Sequence, residues 1–321
     1  MKYLVIGGTG VMGHYVVREL VSRGHRPVIL TVSGNTRYVV DLLEKVEVVK
    51  GDVMDHRGIA EVVGDHSITH IAHLGSAVGP AAEEDPRWTM QVGVEGMVNV
   101  LEAAHSNGVQ RVVFASSKTA YGIIQGKYTH PTYHPLPEDY PSNPINAYGI
   151  SKLAAEHLGM MYQKRYGLEF LALRFASTVG PGKLEHHGQH SVHNQIIENA
   201  MAGQCTMIPQ GEDSRRDTLY NADAALGIVC ALDASTPAHT IYHIGAGQGI
   251  KLQQFVDAVR VFYPKAEVSI GPGAGPPLLD CVLDISRARK ELGYNPQYNA
   301  ETMVADYIKV MKRLRLKPTP T

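Results

Sequence analysis

The sequence predicts an α/β protein, with a doubly wound parallel sheet over residues 1–176 and a smaller C-terminal lobe over 177–321 that returns some segments to the first domain. Three observations lead there. Short apolar runs alternate with helical patterns through the first half of the chain. A glycine-rich turn directly follows the first of those runs. After about residue 176 the pattern breaks into Pro- and Gly-rich pieces, among them Gly180-Pro181-Gly182 and Gly271-Pro272-Gly273-Ala274-Gly275-Pro276-Pro277.

The elements follow in order. Runs at 3–6, 28–32, 46–50, 70–74, 112–115 and 170–175 are almost continuously apolar, as strands buried on both faces are. Helical spacing is read at 11–23, 36–45, 57–64, 87–107 and 147–166. In the second half, helices are expected at 191–203, 221–233, 251–262, 285–292 and 299–314, with a short strand at 240–244. The tail from 317 to 321 is expected to fray.

Composition narrows the class. With 321 residues, 44% of them hydrophobic and 19% charged, the chain can bury a large core and is not a disordered protein. A net charge of -1 gives no electrostatic reason to expect nucleic acid or an anionic membrane as partner. Cys205, Cys230 and Cys281 are scattered, so no disulfide framework or zinc knuckle is expected and a reducing, cytoplasmic setting is the default. No apolar run approaches the length of a membrane span.

The turn Gly7-Gly8-Thr9-Gly10-Val11-Met12-Gly13 fits G-x-G-x-x-G between a strand and a helix. That pattern gives a tight turn, close backbone approach to a pyrophosphate, and a helix N-terminus whose unpaired N–H groups attract phosphate. A dinucleotide is therefore expected here. The acid that reads the ribose in NAD sites should lie about 20 residues further on. Instead the chain reads Leu30-Thr31-Val32-Ser33-Gly34-Asn35-Thr36-Arg37. Hydroxyls at Thr31 and Ser33 with Arg37 nearby suit a 2′-phosphate, so NADP is the preferred expectation and NAD the other. Asp52 either accepts from the adenine amino group or caps the helix that follows it.

Tyr148 and Lys152 are four residues apart, which on a helix is one face. An ammonium beside a phenol favours the phenolate and is expected to lower its pKa, so that Tyr148 can move a proton to or from a substrate oxygen. Thirty-one residues earlier, Ser116-Ser117-Lys118-Thr119-Ala120-Tyr121-Gly122 follows a strand, which puts a hydroxyl at the same sheet edge as the glycine turn.

On these motifs, together with Leu173-Arg174, Gly180-Pro181-Gly182, Arg216-Asp217 and Leu292-Gly293-Tyr294-Asn295-Pro296, the chain resembles the extended short-chain dehydrogenase/reductase superfamily, in its NAD(P)-dependent epimerase/dehydratase branch. The resemblance covers most of the chain. It implies a Rossmann sheet, a substrate-capping second lobe and a catalytic set of Ser117, Tyr148 and Lys152. Tyr148 would be the acid/base, Ser117 would bind the reacting oxygen, and Lys152 would hold the nicotinamide ribose. It extends the expected cofactor contacts to Val53, Leu74, Gly75 and Ser76, and the substrate contacts to Thr119, Tyr121, Ser177 and Arg216. The implied activity is oxidation or reduction of a secondary alcohol or ketone on a sugar-like or other small polar substrate. A nucleotide-sugar 4-epimerase without net cofactor turnover is the alternative, and a non-catalytic dinucleotide sensor is the alternative of another class.

Departures from the family pattern matter. Ser117-Lys118-Thr119 stands where family dehydratases carry Thr-Asp-Glu, which disfavours elimination. Gly271-Pro272-Gly273-Ala274 stands where nucleotide-sugar members carry Arg-Pro-Gly-Asp, and Ser177 replaces a substrate-loop Asn. Arg216 is retained, at a position that grips an anionic group in relatives. His186, His187, His190 and His193 sit near helical spacing, but no Glu or Cys completes a metal motif, so no metal is expected. In relatives the helices at 87–107 and 147–166 pair across a two-fold axis. Here they carry Trp88, Val92, Met97, Val100, Leu101 and Ala104, and Ile150, Leu153, Ala154, Leu158, Met161 and Tyr162, so a homodimer is expected.

Overall fold

The computed structural model describes residues 1–187, 191–277 and 280–319. Seven strands form one parallel sheet: β1 (Tyr3–Ile6), β2 (Val28–Thr31), β3 (Glu47–Lys50), β4 (His70–His73), β5 (Arg111–Ser117), β6 (Glu169–Phe175) and β10 (Ile241–Ile244), in the order β10-β6-β5-β4-β1-β2-β3. The strand order reverses beside β1, which opens the crevice that ligands of such sheets use. Alternate residues go to opposite faces. Tyr3 and Val5 join one apolar cluster and Leu4 and Ile6 the other, so both sides of the sheet are core.

Helices α1 (Gly13–Ser22), α2 (His56–Asp65), α3 (Pro80–Glu84), α4 (Pro86–Met90), α5 (Gly96–Ser106) and α6 (Ala147–Tyr166) belong to the first half. The expected single helix at 87–107 is broken between α4 and α5 by a π-turn, Gln91–Glu95. Gly93 lies in it, where an added Cβ would stand 2.7 Å from the Ser151 Cβ, so the turn seats the chain closely on α6. The expected helix at 36–45 is only a 3-10 segment, Val40–Lys45, with Leu42 as its one buried residue. A single inward side chain gives little to stabilise a longer α-helix.

The second half supplies α7 (Lys183–His187), α8 (Val192–Ala202), α9 (Asn221–Asp233), α10 (Leu252–Phe262), α11 (Ser286–Leu292) and α12 (Ala300–Arg313). It also forms two small sheets. One has the order β11-β9-β7, from β7 (Ser177–Val179), β9 (Arg215–Tyr220) and β11 (Gly249–Lys251); the other pairs β8 (Thr206–Ile208) with β12 (Val268–Ile270). Four of these five strands have three residues, too few for an alternation to show in sequence. The tail is held further than expected, because the Thr319 N–H donates to Glu198 at 2.6 Å. Among the described residues no helix is long and apolar enough to cross a membrane.

Candidate active site

The glycine turn is as tight as its pattern requires. Gly7 has a φ of +81°, and a Cβ on Gly13 would stand 2.1 Å from the Gly7 carbonyl oxygen. Only glycine fits, and the closeness brings the start of α1 up to the end of β1. Val11 and Met12 complete the turn, and the Val11 carbonyl accepts from Asn221 Nδ2 at 2.9 Å. Leu74 and Gly75 lie alongside: Leu74 N–H donates to the Ile6 carbonyl at 3.0 Å, and a Cβ on Gly7 would stand 3.3 Å from the Gly75 nitrogen. Ser76 follows, its hydroxyl on the Ala77 carbonyl. The backbone cradle that a dinucleotide pyrophosphate needs is therefore present.

The ribose-side residues have partners within the protein. The Thr31 and Thr9 hydroxyls are 2.8 Å apart and both are buried. Ser33 Oγ accepts from Asn35 N–H. Arg37 pairs with Glu185 of α7 and donates to the Tyr38 hydroxyl at 2.7 Å. The helix cap at α2 is Asp55, which accepts from Gly58 N–H at 3.0 Å, while Asp52 Oδ1 closes its own turn on Met54 N–H. Asp52 thus does not cap the helix; it lines a cleft of about 370 Å³ with Leu30, Val49, Gly51 and Ile59. Val53 is different from its neighbours, because its side chain is in the core.

Ser117 ends β5, in register with Phe175 of β6. Its Oγ accepts from Thr119 N–H at 3.2 Å and from the Thr119 hydroxyl at 2.9 Å. Tyr148 lies in the first turn of α6, whose start is fixed by Asn146 accepting from Gly149 N–H at 2.8 Å. The Ser117 side chain is near enough to Tyr148 to favour its phenolate. Lys152, one turn on, is buried, donates to the Ala115 carbonyl at 2.7 Å, and lies 5.4 Å from the Tyr148 ring centre. The three expected residues meet at the C-terminal edge of the sheet.

Their electrostatics differ from expectation. Burial pushes the Tyr148 phenol up to about 12, with the Ser117 hydrogen bond the opposing influence. Burial also brings the Lys152 ammonium down to about 7, with Glu156 opposing. The ammonium donates to a carbonyl, and desolvation dominates the shifts of both groups.

Two expected substrate contacts have partners within the protein. Tyr121 is core: its hydroxyl donates to the Glu138 carbonyl at 3.2 Å and lies 2.5 Å from His243 Nε2, and Arg174 lies over its ring. Arg216 is buried and holds Asp280 through Nε at 2.7 Å, so its charge already has a carboxylate. Ser177 opens β7, in register with Thr218. His193 is buried, with Nε2 3.2 Å from the Thr218 hydroxyl and its ring edge-on to Phe255. His190 lies outside the described residues, as do the side chains of His186 and His187.

Sequence reading assigned no role to Lys118 or Lys183. Lys118 follows Ser117 directly, is buried, and has its Nζ 3.9 Å from Cys281 Sγ. Lys183 opens α7 and donates to the carbonyl and, at 2.8 Å, to the hydroxyl of Thr178. The visible signal was a lysine set among the small residues of a strand-end loop.

A Rossmann sheet with a phosphate turn and a Ser/Tyr/Lys cluster at one edge defines a dinucleotide-dependent enzyme class. Residues 3–245 match the model of the NAD dependent epimerase/dehydratase family. The chain belongs to that family, and is an NAD-dependent enzyme of the extended short-chain dehydrogenase/reductase type. It is 28% identical to a UDP-glucose 4-epimerase of Lactobacillus helveticus, over 95% of each chain. Among solved structures it is similar to the Thermus thermophilus UDP-glucose 4-epimerase in complex with NAD, with a TM-score of 0.80 and 27% identity over 96% of this chain and 99% of that one. It shares its fold with the Thermotoga maritima UDP-glucose 4-epimerase, at a TM-score of 0.83 and 24% identity over 98% and 99%.

Proposed function

We propose that the protein interconverts epimers of a sugar-like substrate at a secondary alcohol, with Ser117, Tyr148 and Lys152 as its catalytic residues. The observation that carries this is the convergence of Tyr148 and Ser117 at the end of β5, with the Lys152 ammonium 5.4 Å from the Tyr148 ring centre. A nicotinamide held by this site would supply reversible hydride transfer at the carbinol carbon. Ser117 holds the reacting oxygen. Tyr148 takes its proton as the alcohol becomes a ketone and gives a proton back when the alcohol re-forms. Lys152, 5.4 Å from the Tyr148 ring centre, would hold the ribose of a bound nicotinamide nucleotide. The relatives' activity supports the epimerase sense, with UDP-glucose as the first substrate to try.

A second reading, net dehydrogenation of a smaller polar alcohol, is favoured by one observation. Arg216 is engaged by Asp280, and no arginine is found in 271–277 to hold a diphosphate. The test is to incubate the NAD-loaded protein with UDP-glucose. Epimer formed without accumulation of reduced nicotinamide supports the first reading; stoichiometric reduced cofactor with a small alcohol supports the second.

For the cofactor we favour NAD over the NADP that the sequence suggested. Arg37 is paired with Glu185, whose carboxylate would repel a 2′-phosphate, and Thr31 is turned to Thr9. The seat would run from residues 7–13 past Leu74, Gly75 and Ser76, with Asp52 and the Val53 main chain toward the base. Residues 1–176 form the cofactor domain in this reading and 177–321 the substrate lobe, which returns β10 to the main sheet.

We also propose a homodimer across α4 and α6. Trp88, Ile150 and Met161 are more than 40% exposed, an unusual presentation for large apolar side chains on neighbouring helices. Met97, Val100, Leu101, Ala104 and Tyr162 face the protomer's own core and are not available to it.

A further inference from the structure

We propose that Thr119 is a positioning residue: its hydroxyl fixes the Ser117 proton toward Tyr148 and the reacting oxygen, so that Ser117 acts as a donor and the substrate proton goes to Tyr148. The proposal rests on the reading that Ser117 and Tyr148 serve one alcohol. It adds what divides the work between them.

Ser117 ends β5 in an extended conformation, with φ -151° and ψ 149°, and starts the 3-10 turn Lys118–Tyr121. Its Oγ receives the Thr119 N–H at 3.2 Å and the Thr119 hydroxyl at 2.9 Å. A serine hydroxyl has two lone pairs and one proton. Thr119 takes both lone pairs, so the proton is what Ser117 offers to a neighbour. Tyr148 is such a neighbour, because the Ser117 side chain favours its phenolate, as a donor does and an acceptor does not. A hydroxyl that accepts a hydrogen bond also donates a stronger one, so the chain from Thr119 through Ser117 to Tyr148 polarises in one direction.

Closing the turn does not require this arrangement. The Thr119 N–H on Ser117 Oγ already does so, and the shorter bond from the Thr119 hydroxyl is additional. Exposure follows the same division. Ser116, Lys118 and Ala120 are buried, whereas Ser117 and Thr119 are partly exposed, so the two hydroxyls share the open side of the strand end. The Thr119 main chain meets the other catalytic element as well. A Cβ on Gly149 would stand 2.6 Å from the Thr119 carbonyl oxygen, so the first turn of α6 rests on Thr119 directly beside Tyr148.

The consequence is a division of roles. With a substrate alcohol at the two side chains, Ser117 has no free lone pair to take its proton. The O–H bond that breaks gives its proton to the Tyr148 oxygen, and Ser117 donates to the substrate oxygen, where negative charge gathers. When the alcohol re-forms, the same proton returns from Tyr148.

The first arm of the experiment needs no substrate. A fluorotyrosine in place of Tyr148, whose phenol ionises at lower pH than tyrosine, is titrated by fluorine NMR in the whole protein. Thr119→Val keeps the branched shape and the N–H but loses the hydroxyl, and the midpoint should rise by about half a pH unit or more. Thr119→Ser should restore it. Ser117→Ala should raise it too, and adding Thr119→Val to Ser117→Ala should raise it no further, because Thr119 acts through Ser117. Circular dichroism verifies the fold of each variant, and Thr119→Ala replaces the valine variant if that one does not fold.

The second arm is turnover of UDP-glucose by the NAD-loaded protein. Thr119→Val should lower kcat by about tenfold with KM and NAD affinity little changed, and Thr119→Ser should not. A midpoint that Thr119→Val leaves unchanged overturns the proposal. So do effects of Thr119→Val and Ser117→Ala that add, as a direct contact of Thr119 with the phenol or the substrate would give. Failure of the catalytic reading shows separately, as no epimer and no reduced nicotinamide from the wild type, while the titration still decides the role of Thr119.

Discussion

Glu156 of α6 and Arg174 of β6 form a buried ion pair, with Arg174 Nη2 2.6 Å from Glu156 Oε2 and Nε 2.9 Å from Oε1. The same carboxylate accepts from the Ser116 hydroxyl, next to Ser117. Glu156 is also one helical turn beyond Lys152, whose charged form it favours. One side chain thus joins the helix bearing Tyr148 and Lys152 to the strand bearing Ser117 and to its neighbour.

Removing one partner should therefore cost far more than removing both. Glu156→Gln leaves Arg174 buried without its counter-charge, and about 3–5 kcal/mol of stability should be lost. The double variant Glu156→Met with Arg174→Met should recover most of that. Urea denaturation of the three proteins measures it, and equal loss in single and double variants would contradict the account. Because Glu156 opposes the effect of burial on Lys152, any activity left in Glu156→Gln that needs charged Lys152 should fall off at lower pH than in the wild type.

Tyr148→Phe tests the acid/base role alone. The ring and its packing stay and the proton carrier goes, so kcat should fall by about 10²–10⁴ with NAD affinity nearly unchanged. Direct titration of NAD beside turnover separates the two effects. An unchanged kcat would remove Tyr148 from the chemistry.

The fold was legible because its main signals are long or backbone-driven. The strand at Tyr3–Ile6 and the helix at Ala147–Tyr166 follow from apolar period and caps, and the glycine turn from sterics that only glycine relieves. The meeting of Ser117, Tyr148 and Lys152 was legible too, since strand ends in a parallel sheet share one edge. What the sequence did not disclose were partnerships across distance. Nothing local to Arg37 or Arg216 says that Glu185 or Asp280 will occupy it, and nothing near Tyr121 says that it will stack under Arg174. The shifts of Tyr148 and Lys152 were missed for a related reason: spacing shows which charges are near, but not how deeply they are buried.

Cofactor choice follows from the Arg37–Glu185 pair. NAD should bind tighter than NADP in direct titrations of the ligand-free protein. Glu185→Gln removes the repelling carboxylate and releases Arg37, so NADP affinity should rise by about tenfold with NAD little changed. A wild type that prefers NADP would return the reading to the one the sequence first suggested.

The dimer depends on the apolar face of α4 and α6. Ile150→Glu or Met161→Glu places a charge on that face without entering the protomer core, since both residues are exposed. Either variant should be monomeric by light scattering at micromolar concentration, with its fold intact by circular dichroism. Ile150 lies between Tyr148 and Lys152 in sequence, so its variant should also lose activity. A monomeric wild type would rule out both the interface and its support of the catalytic pair.

The pH dependence of stability should be governed by buried histidines. Burial holds His73, His193 and His243 at about 3, against 6.5 in the unfolded chain. Between those values the unfolded chain binds protons that the native protein does not. Stability therefore rises with pH across that window and is lost as pH falls, by at most about 1.4 kcal/mol per pH unit for each group. His70, brought down to about 4, adds to this. Asp217 acts the other way. Its carboxyl is raised to about 6 from 3.8, so the native state holds the extra proton between those values and its contribution falls as pH rises. Burial raises Glu138, Glu198 and Asp223 in the same direction as Asp217, and lowers His14 with the other histidines. The imidazoles of His73, His193 and His243, brought from 6.5 to about 3, leave a net gain with pH. The melting temperature should climb from pH 4.5 to 6.5, in a test range set by these shifts, and unfolding at pH 5 should take up protons, measured by calorimetry in buffers of different ionisation enthalpy. A flat profile, or proton release on unfolding there, would mean that these imidazoles are charged in the native protein.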